Sequence, residues 1–228
     1  MTSEIYTLID ASLMQQNRFN TISNNLANIN TNAFKKDSVS FNQTLSMENS
    51  SITDFSPGPL QHTGNRLDVA LGGQGFYKIQ TPRGIEYTRD GAFSLNGDRL
   101  LVTKNGDSVL GENGPIKIAE GNVSIGSDGI VKVGDKTVDT LAVVNFQKPH
   151  LLNKGGESYY MYQGDAQDVF TPENINIQQG YIEGSNVNPT EEMIKMIEIM
   201  RVFEATQKAI QSMDEVTSKM VNDVGVLQ

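Results

Sequence analysis

The stretch NNLANINTNAFKK, residues 24–36, sets five asparagines in thirteen residues at the end of a helical pattern. Asparagine disfavours a helix interior, because its amide competes for the backbone, but it is at home where a helix stops, because it tolerates left-handed angles. The stretch therefore predicts a helix terminus with a polar surface. Upstream, Ile5, Leu8, Ser12, Gln15, Phe19, Ile22, Leu26 and Ile29 alternate steps of three and four, the seam of a heptad helix roughly 40 Å long. Ser12 and Gln15 weaken that seam, so a stable two-stranded coil on its own is not expected.

Downstream the chain changes character twice. After Phe41 the run NQTLSMENSSITDFSPGPLQHTG is polar, holds Pro57 and Pro59, and predicts a loop or linker. From about Leu67 to Ile177, turn dipeptides (Asp90-Gly91, Asn96-Gly97, Asn105-Gly106, Asn113-Gly114, Asp128-Gly129, Gly134-Asp135) separate short β-branched and aromatic segments, the pattern of an antiparallel β domain. The tail returns to helix. Asn188 reads as its N-cap, Pro189 as its first turn and Glu191 as the capping-box partner. Its apolar residues form two stripes. One is Met193, Met196, Met200, Phe203 and Ile210; the other is Ile199, Val202, Ala209, Met213, Val216 and Met220.

The expected fold class is therefore α+β, with long N- and C-terminal helices packed together in a coiled-coil-like manner around a central antiparallel β domain. The expected divisions are 1–40 for the N-terminal helix and exit turn, 41–65 for the linker, 66–180 for the β-rich domain and 181–228 for the C-terminal helix. A helix apolar on more than one side must be buried by several neighbours. A β domain of about a hundred residues cannot cover both helices, so other chains are expected to complete them.

Composition narrows the function. Of 228 residues, 18 are Lys or Arg and 27 Asp or Glu, a formal net charge of -9, which argues against a nucleic-acid partner. No apolar run reaches the roughly 20 residues of a spanning helix, so no membrane insertion is expected. Glu4 and Asp10 and the missing basic n-region argue against a Sec-type leader. Cysteine is absent, excluding disulfides, thiolate metal sites and cysteine nucleophiles.

Candidate chemistry is sparse. His62 and His150 stand in loop-like contexts without a second ligand at metal spacing. LGGQGFYK, residues 71–78, lacks the remaining spacing of a dinucleotide fingerprint and reads as a tight turn. DGAFSLNGDRLL, residues 90–101, lacks the closing Glu of a calcium loop. Asp90, Asp98 and Asp107 read as turn residues whose side chains accept backbone N–H groups. No catalytic residue, cofactor or metal is expected.

The segments SNNLANINTNAFKK, TGNRLDVALGGQGFYKIQ, YTRDGAFSLNGDRLLVTKNGDSVLGENGPI and GYIEGSNVNPTEEMIKMIEIMRVFEATQKAIQ, in that order and over nearly the whole chain, resemble the bacterial flagellar basal-body rod and hook proteins. Ala33 departs from that family's usual glycine, so a left-handed residue is not assumed there. The resemblance implies a structural subunit of the rod, the helical drive shaft that transmits motor torque across the periplasm, with the proximal rod preferred over the distal. It also implies export through the flagellar type III apparatus without signal cleavage. The implied partners are other copies, neighbouring rod proteins, the ring bushing around the rod and peptidoglycan.

On that footing the subunit interface is expected from Leu8, Phe19, Ile22, Leu26 and Ile29, and from the polar set Asn24, Asn25, Asn28, Asn30 and Thr31. The latter would hydrogen-bond between subunits and fix register, as buried polar residues do in coiled coils. Phe34 would anchor the chain as it leaves the helix, and Lys35 and Lys36 would sit at a solvated edge. On the C-terminal helix the expected residues are Met193, Met196, Ile199, Met200, Phe203, Ile210, Met213, Val216 and Met220. The competing classes are a secreted β-domain binding module with helices for oligomerisation, and a chaperone or effector of a secretion system.

Overall fold

The computed structural model describes the backbone of residues 2–39, 51–156 and 158–225, and the side chains of the same residues except 2–10, 214, 217, 218 and 220–225. Two long helices bound the chain, α1 at Thr2–Ala27 and α2 at Pro189–Gly225, and short strands paired antiparallel fill the interval between them. The class is α+β. The residues fall into two compact units. One comprises Met1–Ala27, Asp37–Ile52 and Asn188–Gln228; the other comprises Asn28–Lys36 and Thr53–Val187.

In the helical unit α1 and α2 lie against one another. The short strand Asp37–Val39, which pairs with Ser51–Thr53, also lies against α1. The helix α1 ends at Ala27, among the asparagines, as the sequence predicts; the turn that follows belongs to the other unit.

The β unit is built on a sheet running, from one edge, through Leu152–Gly156, Tyr159–Tyr162, Gly84–Thr88, Phe76–Thr81, Ser108–Gly111, Leu101–Val102 and Ser94–Leu95. Side chains alternate faces along a strand, so neighbours in sequence enter different cores. Tyr77, Val143 and Tyr159 join Val69, Ile79, Leu101 and Val131 on one side, while Phe76, Val144 and Tyr160 join Phe146 and Leu152 on the other. Phe55, Phe76 and Tyr160 meet edge to face at 5.4–5.6 Å. The strand Ile130–Val133 and its neighbours Val123–Ile125 and Lys136–Thr140 form a separate three-stranded sheet.

The turn dipeptides do what their chemistry dictates. Gly134, at φ +59, closes the hairpin in which Val133 opposes Lys136. Gly91 answers to proximity, since a Cβ there would lie 1.7 Å from the Val69 carbonyl oxygen. At Asn96-Gly97 the positive φ, +63, falls on Arg99. Asn96 Oδ1 accepts the backbone N–H groups of Asp98 and Leu100, a role the sequence reading gave to Asp98 itself.

Two expectations change. The predicted linker is partly sheet: Leu60–His62 pairs with Tyr181–Glu183, placing Leu60 opposite Glu183 and His62 opposite Tyr181. Pro57 and Pro59 hold the chain extended ahead of this strand and donate no hydrogen bond themselves. Residues 42–50 of that run lie outside the described residues. Ala33 does adopt the left-handed conformation, at φ +53, although it carries a Cβ. Full burial and the Ala33 N–H bond to the Glu183 carbonyl (2.8 Å) hold it there, offsetting a conformational cost of about 1–2 kcal/mol.

Candidate functional site

The exit turn 28–36 is stitched into the β unit at both crossings of the chain. Phe34 accepts from the Asn186 N–H, Lys36 donates its N–H to Asn186 Oδ1, and the Asp54 N–H reaches the Lys36 carbonyl. The Asn186 amide in turn donates to the Asp54 and Ser56 carbonyls. Phe34 is buried, with the Lys154 ammonium 4.4 Å over its ring.

Beneath the turn lies a charge cluster whose side chains are almost fully buried. Glu183 accepts from Lys35 Nζ at 2.5 Å, from Arg89 Nε at 2.7 Å and from the Gly58 N–H at 2.8 Å. Lys35 also donates to the Ser56 carbonyl. The Arg89 guanidinium donates to the carbonyls of Gly73 and Gly75, both at 2.8 Å, so the loop read as a tight turn is a cradle for this cation. Desolvation holds the Lys35 ammonium below its ordinary lysine value, outweighing the pull of Glu183. Lys35 therefore does not sit at a solvated edge. Its anion stands 148 positions away in sequence, beyond the reach of any local pattern. Lys36 is partly exposed and faces Asp54 at 3.6 Å.

In the helical unit Asn25, 1% exposed, grips Asp37 as a neighbouring strand would: its Oδ1 accepts the Asp37 N–H and its Nδ2 donates to the Asp37 carbonyl. The same Nδ2 reaches Glu192 on the first turn of α2, and Glu192 also receives Lys195 Nζ. Both polar ends of the Asn25 amide are thus engaged within one chain. Thr31 is likewise tied locally, its hydroxyl donating to Asn28 Oδ1 at 3.1 Å. Asn188 caps α2 through the Thr190 N–H, and Glu191 meets Lys195 at 2.6 Å. Alongside, a groove of about 270 Å³ is lined by Ile22, Ile199 and Val202 together with Arg18, Lys195 and Glu198. The Gln15 Oε1, buried there, has no hydrogen-bond partner among the described residues.

The expected interface residues separate by exposure. Ile22 and Ile199 are buried between the helices, with Leu26, Ile29, Met196 and Met213 partly covered. Phe19, Asn24 and Asn30 on the N-terminal side are exposed, as are Met193, Met200, Phe203, Ile210 and Val216 on α2. The side chains of Leu8 and Met220 lie outside the described residues. Ile194 and Ile197 extend the exposed stripe, 53% and 52% exposed, and the sequence reading passed over them. Their signal was present: Met193, Ile197 and Met200 follow helical spacing as well as the chosen methionines do.

Among the described residues no three His, Asp or Glu side chains gather to hold a metal ion, and no helix is long and apolar enough to cross a membrane. Asp90 takes the Ala92 N–H in a turn, and Asp107 accepts the Tyr159 hydroxyl.

α2 carries an exposed apolar stripe, and in the β unit the buried Lys35, Arg89 and Glu183 pair with one another. Comparison with known proteins gives the family. Residues 5–35 match the family described as Flagella basal body rod protein. Residues 70–133 match the Flagellar hook protein FlgE/F/G D1 domain, and 178–223 the Flagellar basal body rod FlgEFG protein C-terminal. The chain is similar to flagellar basal-body rod protein FlgG of Buchnera aphidicola subsp. Schizaphis graminum, 35% identical over 90% of this chain and 94% of that protein. It is similar to flagellar basal-body rod protein FlgF of Caulobacter vibrioides, 30% identical over 99% of both. To FlgG of Bacillus subtilis it is 33% identical, over 97% of this chain and 99% of that protein. The chain belongs to the flagellar basal-body rod protein family and is a structural subunit of the rod.

Proposed function

We propose that this subunit assembles through α1 and α2 into the helical shaft of the rod, at its proximal end, after export through the flagellar type III apparatus without signal cleavage. The observation that carries the reading is the stripe on α2: Met193, Ile194, Ile197 and Met200 are each more than half exposed, and Phe203 is 40% exposed. Covering one such half-exposed side chain supplies roughly half of the ~1.5–3 kcal/mol that full burial gives, so several together support a stable lattice. Coiled-coil packing of α1 on α2, with Ile22 and Ile199 in the seam, belongs to the same proposal. Other copies and neighbouring rod proteins cover the stripe, and the bushing and peptidoglycan lie outside it. The short run between Phe41 and Thr63 supports the proximal branch.

The test replaces Ile197 and Met200 together by Asp. Both side chains are exposed, so thermal melting of the purified chain should stay within about 0.5 kcal/mol of the original, as surface substitutions do. Swimming and recovery of the subunit in basal bodies should be lost. Normal swimming with normal recovery would overturn the reading.

A further inference from the structure

The outward faces of the two helices are chemically unlike. Between Ala11 and Ala27, α1 carries one charged residue, Arg18, and the row Leu13, Gln16, Asn20, Asn24 and Ala27 is exposed and uncharged. α2 holds seven carboxylates against four cations, and its exposed row Met193, Ile197 and Met200 runs beside Glu198 and Glu204, with Arg201 the one cation next to it. Setting α2 of one copy against α2 of another would bring two acidic helices together where water is partly excluded, and like charges repel most strongly there. A copy presenting α1 brings Leu13, amides that can donate to carboxylates, and the single cation Arg18. We infer that the α2 stripe of each subunit is covered by the uncharged α1 row of a second copy. Donor and acceptor faces then differ, and every copy carries both, so the contact repeats from subunit to subunit. This inference rests on the rod reading above and names the surface that the stripe meets.

The chain has no cysteine, which permits a direct test. Single variants Asn20→Cys and Ile197→Cys are expressed alone and together in the source bacterium lacking its own copy, and basal bodies are oxidised mildly. Mixing separate single variants restricts cross-links to those between subunits. Gln16→Cys with Met200→Cys supplies a second pair. The expected result, read on the subunits recovered in basal bodies, is a disulfide dimer in at least one mixture and none from any variant alone. A dimer from Ile197→Cys or Met200→Cys alone overturns the inference in favour of α2 against α2. Subunits recovered in basal bodies with no cross-link in either mixture also overturn it and leave the rod reading standing. Absence of the unsubstituted chain from basal bodies overturns the rod reading and this inference with it.

Discussion

Glu183 serves two buried cations and a backbone N–H, so the consequences of removing members of this cluster are unequal. Glu183→Gln leaves Lys35 and Arg89 buried without their anion and should cost about 3–5 kcal/mol, read as a shift in urea midpoint. Lys35→Met leaves Glu183 with Arg89 and the Gly58 N–H, and it removes the cation whose own desolvation is the largest influence upon it. Its cost should be smaller by about 2 kcal/mol. Equal losses would show that the cluster is not organised around Glu183. Tyr159 supplies a pH test. Its hydroxyl meets Thr103, Asn105 and Asp107, and burial pushes the phenol up to about 12. The folded value lies above the unfolded one near 10, so between them the folded chain holds a proton that the unfolded chain has lost. Stability from this phenol is complete below pH 10 and falls as pH rises toward 12. The stability gap between the original chain and Tyr159→Phe should therefore narrow over that window, and a constant gap would remove Tyr159 as its source.

At the scale of elements, helix ends and hairpins were legible because their causes are local. Asn188, with a proline behind it, caps α2, and glycine or asparagine closes the turns. What stayed hidden was set by distant partners. Lys35 and Lys36 are neighbours of the same type, and only their surroundings, Glu183 for one and Asp54 for the other, decide which is buried. Arg89 gives no local sign that three carbonyls of the Leu71–Gly75 loop await it. The asparagines promised contacts, but whether Asn25 bonds inside the chain or outside depends on where Asp37 returns. The exit turn, expected to go with the N-terminal helix, is bonded into the β unit. Amide exchange should show this in the isolated chain, with residues 28–36 exchanging as slowly as the β strands and residues 203–213 of α2, mostly exposed, exchanging faster. Exchange at 28–36 as fast as in that part of α2 would place the turn with the helices after all.

For the whole molecule, the two units divide the labour by kind of residue. The β unit turns most of its aromatics inward and pairs its buried Lys35, Arg89 and Glu183 internally, while α2 leaves Met193, Ile197 and Met200 uncovered. That contrast explains why the Ile197 and Met200 substitutions should leave melting unchanged and abolish swimming. The clasp formed by Lys35, Arg89 and Glu183 adds a mechanical consequence. The chain first enters the β unit at 28–36 and finally leaves it at 183–187, and these two passages are bonded directly to each other. A pull arriving along one helix can therefore pass to the other across a few short bonds without traversing the sheets.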